Sequence, residues 1–195
     1  MNNLSAKRWI QFILGITILG IGIGISVKCM IGLGPWGVFH EGLAKVLSIT
    51  YGSALIITGL FVLSLWVPLK QKLNIGTFIC IFWLGFVADF TMENFVTPEL
   101  LIYKIIGVAI AIILIGSGTS IYVGAGISTG PRDGVMVGLE QRGLKIGVAR
   151  TIIEVFALSS GWLMGGTVGY ASPFMALLIG PIVQIILPYV DFRKK

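Results

Sequence analysis

Long uncharged apolar segments alternate with short polar connections along this chain of 195 residues. The uncharged runs cover Trp9–Val27, Gly52–Leu69, Ile105–Pro131 and Val155–Val190. About 20 apolar residues cross a bilayer as a helix, and the last run has room for two short spans with a turn near Gly165 and Gly166. The pattern therefore predicts six transmembrane helices, at about 9–28, 51–69, 74–91, 102–123, 148–164 and 172–189.

Two further segments, Pro35–Leu47 and Pro131–Gly143, are too short to span a membrane and carry charged residues. Each begins with Gly-Pro, and proline is well tolerated in the first turn of a helix. The glycines just before them (Gly32, Gly34, Gly126 and Gly130) permit a tight, left-handed backbone. We expect two short helices that either enter the membrane or lie flat at its interface as amphipathic connectors, and the sequence leaves both open. A helix that enters would present free N–H groups and a positive dipole end suited to an anion.

The two halves of the chain resemble one another. Residues 34–43 align without a gap on residues 130–139, at a separation of 96, and after a slip of one residue the matches continue as far as Gly85 and Gly180. We therefore predict a single membrane domain over 1–195, with repeat 1 at about 8–91 and repeat 2 at about 102–190. Three spans per repeat would invert the second repeat relative to the first, which is typical of secondary transporters whose site lies between the repeats.

Charge supports a membrane location and predicts an orientation. Hydrophobic residues make up 56% and charged residues 11%, against about 25% charged in soluble domains. With the N-terminus inside, eleven cationic side chains lie on the cytoplasmic side and three lie outside, namely Lys28, Lys45 and Lys104. Both termini are then cytoplasmic. The net charge of +6 reflects topology and contact with anionic lipid rather than nucleic-acid binding.

The two Gly-Pro blocks carry a family resemblance. Gly32-Leu33-Gly34-Pro35-Trp36, followed by residues 40–43, and the block from Ser128 to Met136 resemble the YczE/YitT-type family of bacterial integral membrane proteins, nearer the YczE branch. The resemblance covers most of the chain. It implies a multi-pass protein of the bacterial plasma membrane and supplies no catalytic residues.

The same blocks contain the substrate or gating candidates, which are Gly34, Pro35, Trp36, His40, Glu41, Gly130, Pro131, Arg132 and Asp133. Arg132 and Asp133 at a helix N-terminus suit substrate binding, but an aspartate there also caps the helix. A histidine titrates near neutrality, which suits proton coupling. The alternative for His40 and Glu41 is a polar face at the outer surface.

Four more polar residues fall inside predicted spans: Asp89, Arg150, Glu154 and Gln184. Intramembrane carboxylates are rare and usually face the interior of a bundle. Glu154 follows Arg150 by four residues, so it is either a coupling or substrate carboxylate or the partner of that arginine. Asp89 and Gln184 occupy equivalent repeat positions and could line a cavity.

The sequence lacks the spacing of known catalytic, nucleotide or metal motifs, and we expect neither enzyme activity nor a cofactor. The leading hypothesis is a small transporter for a small polar or anionic solute, working by alternating access between the repeats. The alternative is a non-catalytic membrane partner, such as a substrate-capturing subunit of a larger complex. Contact with the lipid bilayer follows from either hypothesis, whereas a homodimer or another membrane-protein partner is left open.

Overall fold

The computed structural model describes residues 3–71, 73–128, 130–144 and 146–192. This part of the chain forms eight helices: α1 (Asn3–Cys29), α2 (Pro35–Leu47), α3 (Tyr51–Ser64), α4 (Ile75–Asn94), α5 (Leu101–Gly124), α6 (Pro131–Glu140), α7 (Ile146–Leu163) and α8 (Ala171–Val190). Two predicted site residues, Asp133 and Arg150, are described by their backbone alone, so their side chains lie outside the description. The cationic Lys72, Lys145 and residues 193–195 also lie outside the described residues.

The all-helical architecture is confirmed, but six spans are not. Helices α1, α4, α5 and α8 are long and apolar enough to cross a membrane, and α2 with α3 would make a fifth span bent by 108°. The apolar part of α7, Thr151–Leu163, is shorter.

Helix α3 ends at Ser64, well before the predicted end at 69. Successive turns follow up to Lys70. Pro68 explains the early end, because proline has no N–H and disfavours a helical residue before it.

Helices α1 and α5 cross at the centre of the fold through glycines. A Cβ atom on Gly22 of α1 would lie 3.0 Å from the backbone nitrogen of Ile115, and one on Gly118 of α5 would lie 2.5 Å from that of Leu19. These two contacts are reciprocal. At the separation of 96, Gly22 corresponds to Gly118 and Leu19 corresponds to Ile115, so each helix presents the same pair of positions to the other. Such reciprocity is what a two-fold axis between the helices produces. The main core lies beside this crossing, with Phe12 fully buried.

Contacts farther from the crossing are reciprocal as well. A Cβ on Gly20 would lie 2.7 Å from Val87 of α4, and one on Gly116 would lie 2.5 Å from Ile182 of α8. A Cβ on Gly42 of α2 would meet Met164 at 2.9 Å, and one on the equivalent Gly138 of α6 would meet Leu69 at 2.8 Å. In these pairs, corresponding glycines contact corresponding neighbours.

The Gly-rich turns before α2 and α6 pack against the segments before α8 and α4. Ala171 donates its backbone N–H to the carbonyl of Ile31 at 3.0 Å. At the corresponding place in the other half, Ser128 shares a hydrogen bond of 2.6 Å with Thr77. Gly32 has a φ of +120°, and a Cβ there would lie 2.8 Å from the backbone nitrogen of Gly169. Both the left-handed conformation and the close approach require glycine.

One interface breaks the correspondence. Helix α3 packs on α4, where a Cβ on Gly85 would lie 2.7 Å from Ile56. Within the described residues, α7 packs on α2 and α6 but makes no comparable interface with α8. A Cβ on Gly180, the counterpart of Gly85, would have open space around it. The α3–α4 interface is closed and the α7–α8 interface is open.

Candidate functional site

The first turns of α2 and α6 meet at Trp36 and Arg132. The guanidinium carbon of Arg132 lies 4.9 Å from the centre of a Trp36 ring, which is within the range of a cation–π interaction. The two residues correspond at the separation of 96, so each repeat contributes the same position to this contact. Proline starts both helices, as predicted. We call this meeting point the central site.

Aromatic side chains of α2 and α3 complete the central site. The ring of His40 lies one turn after Trp36, with centroids 6.0 Å apart, and contacts the ring of Tyr51 edge-on at 5.8 Å. Arg132 is near enough to act electrostatically on both His40 and Tyr51. His40 therefore faces the interior, and the alternative of a polar outer face is wrong for this residue.

His40 and Tyr51 are largely buried within the central site. They are 7% and 5% exposed, and neither makes a hydrogen bond within the described residues. The Tyr51 hydroxyl lies 3.6 Å from the place that a Cβ of Gly37 would occupy, next to the first turn of α2. No side chain caps that turn. The nitrogens of His40 and the hydroxyl of Tyr51 are not among the fully enclosed polar atoms that lack a partner, so they remain accessible to water or a small ligand.

Trp66 supports the central site from the end of α3. Its indole N–H donates to the carbonyl of Pro131 at 2.7 Å, and the side chain is 4% exposed. A tryptophan near the end of a predicted span commonly anchors a helix at the membrane interface, but this ring is buried against α6. The bond positions the first turn of α6, where Arg132 stands.

Glu41 lies outside the central site and holds the α7–α8 connection. Its carboxylate accepts hydrogen bonds from the Thr167 backbone N–H at 2.6 Å and hydroxyl at 3.0 Å. It also pairs with Lys45 at 2.9 Å, and Lys45 donates to the carbonyl of Gly165 at 2.8 Å. These contacts give Glu41 a positioning role, and sequence reasoning could not name partners more than a hundred residues away.

Asp89 caps α3 from the neighbouring helix. Its carboxylate accepts a hydrogen bond of 2.5 Å from the Thr50 hydroxyl and one of 2.6 Å from the Gly52 backbone N–H. It lines an open cleft of about 480 Å³ with Lys28, Glu41, Lys45, Thr50, Tyr51 and Glu93, among others. Tyr51 lines this cleft and also belongs to the central site.

The remaining candidates stay apart from the central site or are only partly described. Gln184, the counterpart of Asp89, is exposed on α8 beside the open interface. Glu154 on α7 is half-buried and has an interaction partner, but pairing with Arg150 stays a prediction. Gly34 has an ordinary extended conformation, with φ at −66°. A Cβ on Gly34 would contact only Met175, at 3.8 Å. The glycine of this turn that a side chain would strain is therefore Gly32.

Sequence reasoning missed Tyr51 and Thr58. Tyr51 starts a long apolar run, where an aromatic residue is indistinguishable from an interface anchor. Thr58 lies two turns later on α3, 5% exposed, and its hydroxyl has no hydrogen-bond partner. Among the described residues, no group of three His, Cys, Asp or Glu side chains is placed to hold a metal ion.

Comparison with known proteins identifies relatives along nearly the whole chain. An uncharacterized protein of Haemophilus influenzae is 34% identical over 186 residues, covering 92% of this chain and 85% of the relative. The uncharacterized membrane protein YczE of Bacillus subtilis is 32% identical over 188 residues, covering 93% and 86%. The uncharacterized protein YyaS of the same organism is 25% identical over 190 residues, covering 94% of each chain. No solved structure matches.

Residues 6–188 match a family described as a family of unknown function, DUF6198. The resemblance to YczE is thereby confirmed. The chain belongs to this family of multi-helix membrane proteins.

Proposed function

We propose that this member of the family is a small secondary transporter of the bacterial plasma membrane, which moves a small polar or anionic solute. Its two halves act as inverted repeats of three crossings each, with α2 and α6 entering the membrane as short re-entrant helices. Both termini are cytoplasmic. The solute binds at the central site, and access alternates between the two membrane faces.

The meeting of Trp36 and Arg132 carries the proposal. Equivalent residues that touch each other lie on the axis relating the two halves, and the reciprocal contacts of Gly22 and Gly118 support that axis. Transporters built from inverted repeats bind substrate near such an axis, at the ends of interrupted helices. Helix α2 meets this description, because it is bent by 108° from α3 and starts without a side-chain cap.

The unequal interfaces support alternation. In a transporter with inverted repeats, the two halves exchange conformations, so a contact closed in one half is open in the other. The α3–α4 interface is closed around Gly85, whereas the space around Gly180 is open. On this proposal, the arrangement described above is one end state, and the opposite state would close α7 against α8 and separate α3 from α4.

Counterflow into proteoliposomes tests the function. Purified protein in vesicles loaded with unlabelled solute should accumulate the labelled form from a panel of small carboxylates, phosphate, amino acids and quaternary amines. Uptake should require the protein and should be unchanged in Lys70→Gln, which removes an exposed charge that is not part of the central site.

Failure of every solute, from protein shown to be folded, would contradict autonomous transport. Co-purification of a second membrane complex in that case would favour the alternative of a substrate-capturing subunit. Solute counterflow by the purified protein alone would show that transport does not need a partner.

A further inference from the structure

We infer that the central site binds a small monocarboxylate, with Arg132 holding the carboxylate and Tyr51 and His40 supplying further hydrogen bonds. The inference rests on the proposed function for its biological meaning. The binding site itself stands on the side chains described above. It narrows the solute from polar or anionic to one chemical class.

The charge of the site selects the charge of the ligand. Glu41 is paired with Lys45, and Asp89 is engaged by the N-terminus of α3. Arg132 has no carboxylate partner within the described residues and contacts an aromatic ring instead. Among the described side chains of the central site, Arg132 is the one cation, and a single cation in a partly buried site favours an anion with a single charge, because a second negative charge would be left unpaired at a desolvation cost.

The available donors select a planar anion with two oxygens. A guanidinium group presents N–H donors as a fork that matches a carboxylate. Tyr51 and His40 place further polar atoms, accessible to a ligand, beside each other. The uncapped first turn of α2 adds a positive dipole end on the same side.

The walls of the site select an apolar remainder. Trp36, Phe39 and Tyr51 surround the imidazole of His40 with aromatic rings. Aromatic faces favour apolar or planar groups over strongly hydrated ones. A carboxylate attached to a short alkyl chain or to one ring fits this combination better than sulfate or phosphate.

Calorimetric titration of the protein in lipid nanodiscs tests the site, with propionate, butyrate and benzoate as probes. At least one should bind saturably, whereas benzamide, the neutral analogue of benzoate, and sulfate should not. Arg132→Lys keeps the charge but loses the fork, and should weaken binding about tenfold or more. Tyr51→Phe keeps the ring and should weaken binding severalfold. Lys70→Gln is the control and should bind as the wild type does.

Three results would overturn the assignment: no binding of any of the three carboxylates, equal binding of benzamide, or wild-type affinity in both Arg132→Lys and Tyr51→Phe. These outcomes are separate from those of the transport test. Counterflow of another solute without carboxylate binding would refute the site and keep the transporter. Arg132-dependent carboxylate binding without flux would keep the site and refute autonomous transport.

Discussion

Replacing Asp89 tests the closed interface between α3 and α4. The carboxylate makes two hydrogen bonds across that interface, of 2.5 Å to Thr50 and 2.6 Å to the Gly52 N–H. A hydrogen bond to a charged group contributes about 1.5–3 kcal/mol, and the cleft admits water, so the lower end applies to each bond. We therefore expect Asp89→Ala to lower the free energy of unfolding by about 2–3 kcal/mol.

Asp89→Asn distinguishes the contributions of the two hydrogen bonds to stability. The amide oxygen still accepts from the Gly52 N–H, but the amide nitrogen cannot accept from the Thr50 hydroxyl. The loss should fall to about 1 kcal/mol, including the weaker interaction with the helix dipole. Glu93→Ala is the matched control, because Glu93 lines the same cleft and is exposed. It should change stability by less than about 0.5 kcal/mol.

The assay is unfolding by sodium dodecyl sulfate in mixed micelles, followed by circular dichroism. The expected order of stability is wild type and Glu93→Ala, then Asp89→Asn, then Asp89→Ala. If Asp89→Ala were as stable as Glu93→Ala, the carboxylate would not hold the interface closed. If Asp89→Asn matched Asp89→Ala, the capping bond to Gly52 would contribute nothing.

Three further substitutions test other parts of the fold. Gly32→Ala should lower the thermal unfolding midpoint clearly, because the left-handed φ and the nearby backbone both oppose a side chain; a midpoint equal to that of wild type would refute the close approach. Glu41→Gln should increase proteolysis of the connection around Thr167 while leaving carboxylate affinity unchanged, and altered affinity would place Glu41 in the site. Trp66→Phe should cost about 1 kcal/mol in unfolding free energy through the lost bond to Pro131, and no loss would contradict that bond.

Helix positions and the Gly-Pro starts could be predicted from the sequence because they depend on local pattern. Pro35 and Pro131 begin α2 and α6 as expected, and a helix overlaps each predicted span. The predicted end of α3 was wrong, because the apolar run continues without a change in composition through the turns that follow Ser64.

Much of the central site depends on distance in space, which the sequence does not contain. Trp36, His40 and Arg132 were candidates because they follow the Gly-Pro turns. Tyr51 joins them only because the chain bends sharply between α2 and α3. The difference between the α3–α4 and α7–α8 interfaces was also beyond sequence reasoning, since matching repeats predict matching contacts.

Cysteine cross-linking across these two interfaces tests alternating access most directly. In a background with Cys29 and Cys80 replaced, the pair Gly59→Cys and Ile81→Cys should cross-link in the state described, where a Cβ on Gly59 would lie 3.0 Å from Ile81. The pair Thr151→Cys and Gly180→Cys is equivalent to the close contact of Ile56 with Gly85 and should cross-link only in the opposite state. Each cross-link should stop counterflow, and reduction should restore it. Full counterflow with either pair cross-linked, or failure of the second pair to cross-link during turnover, would contradict alternation between the two repeats.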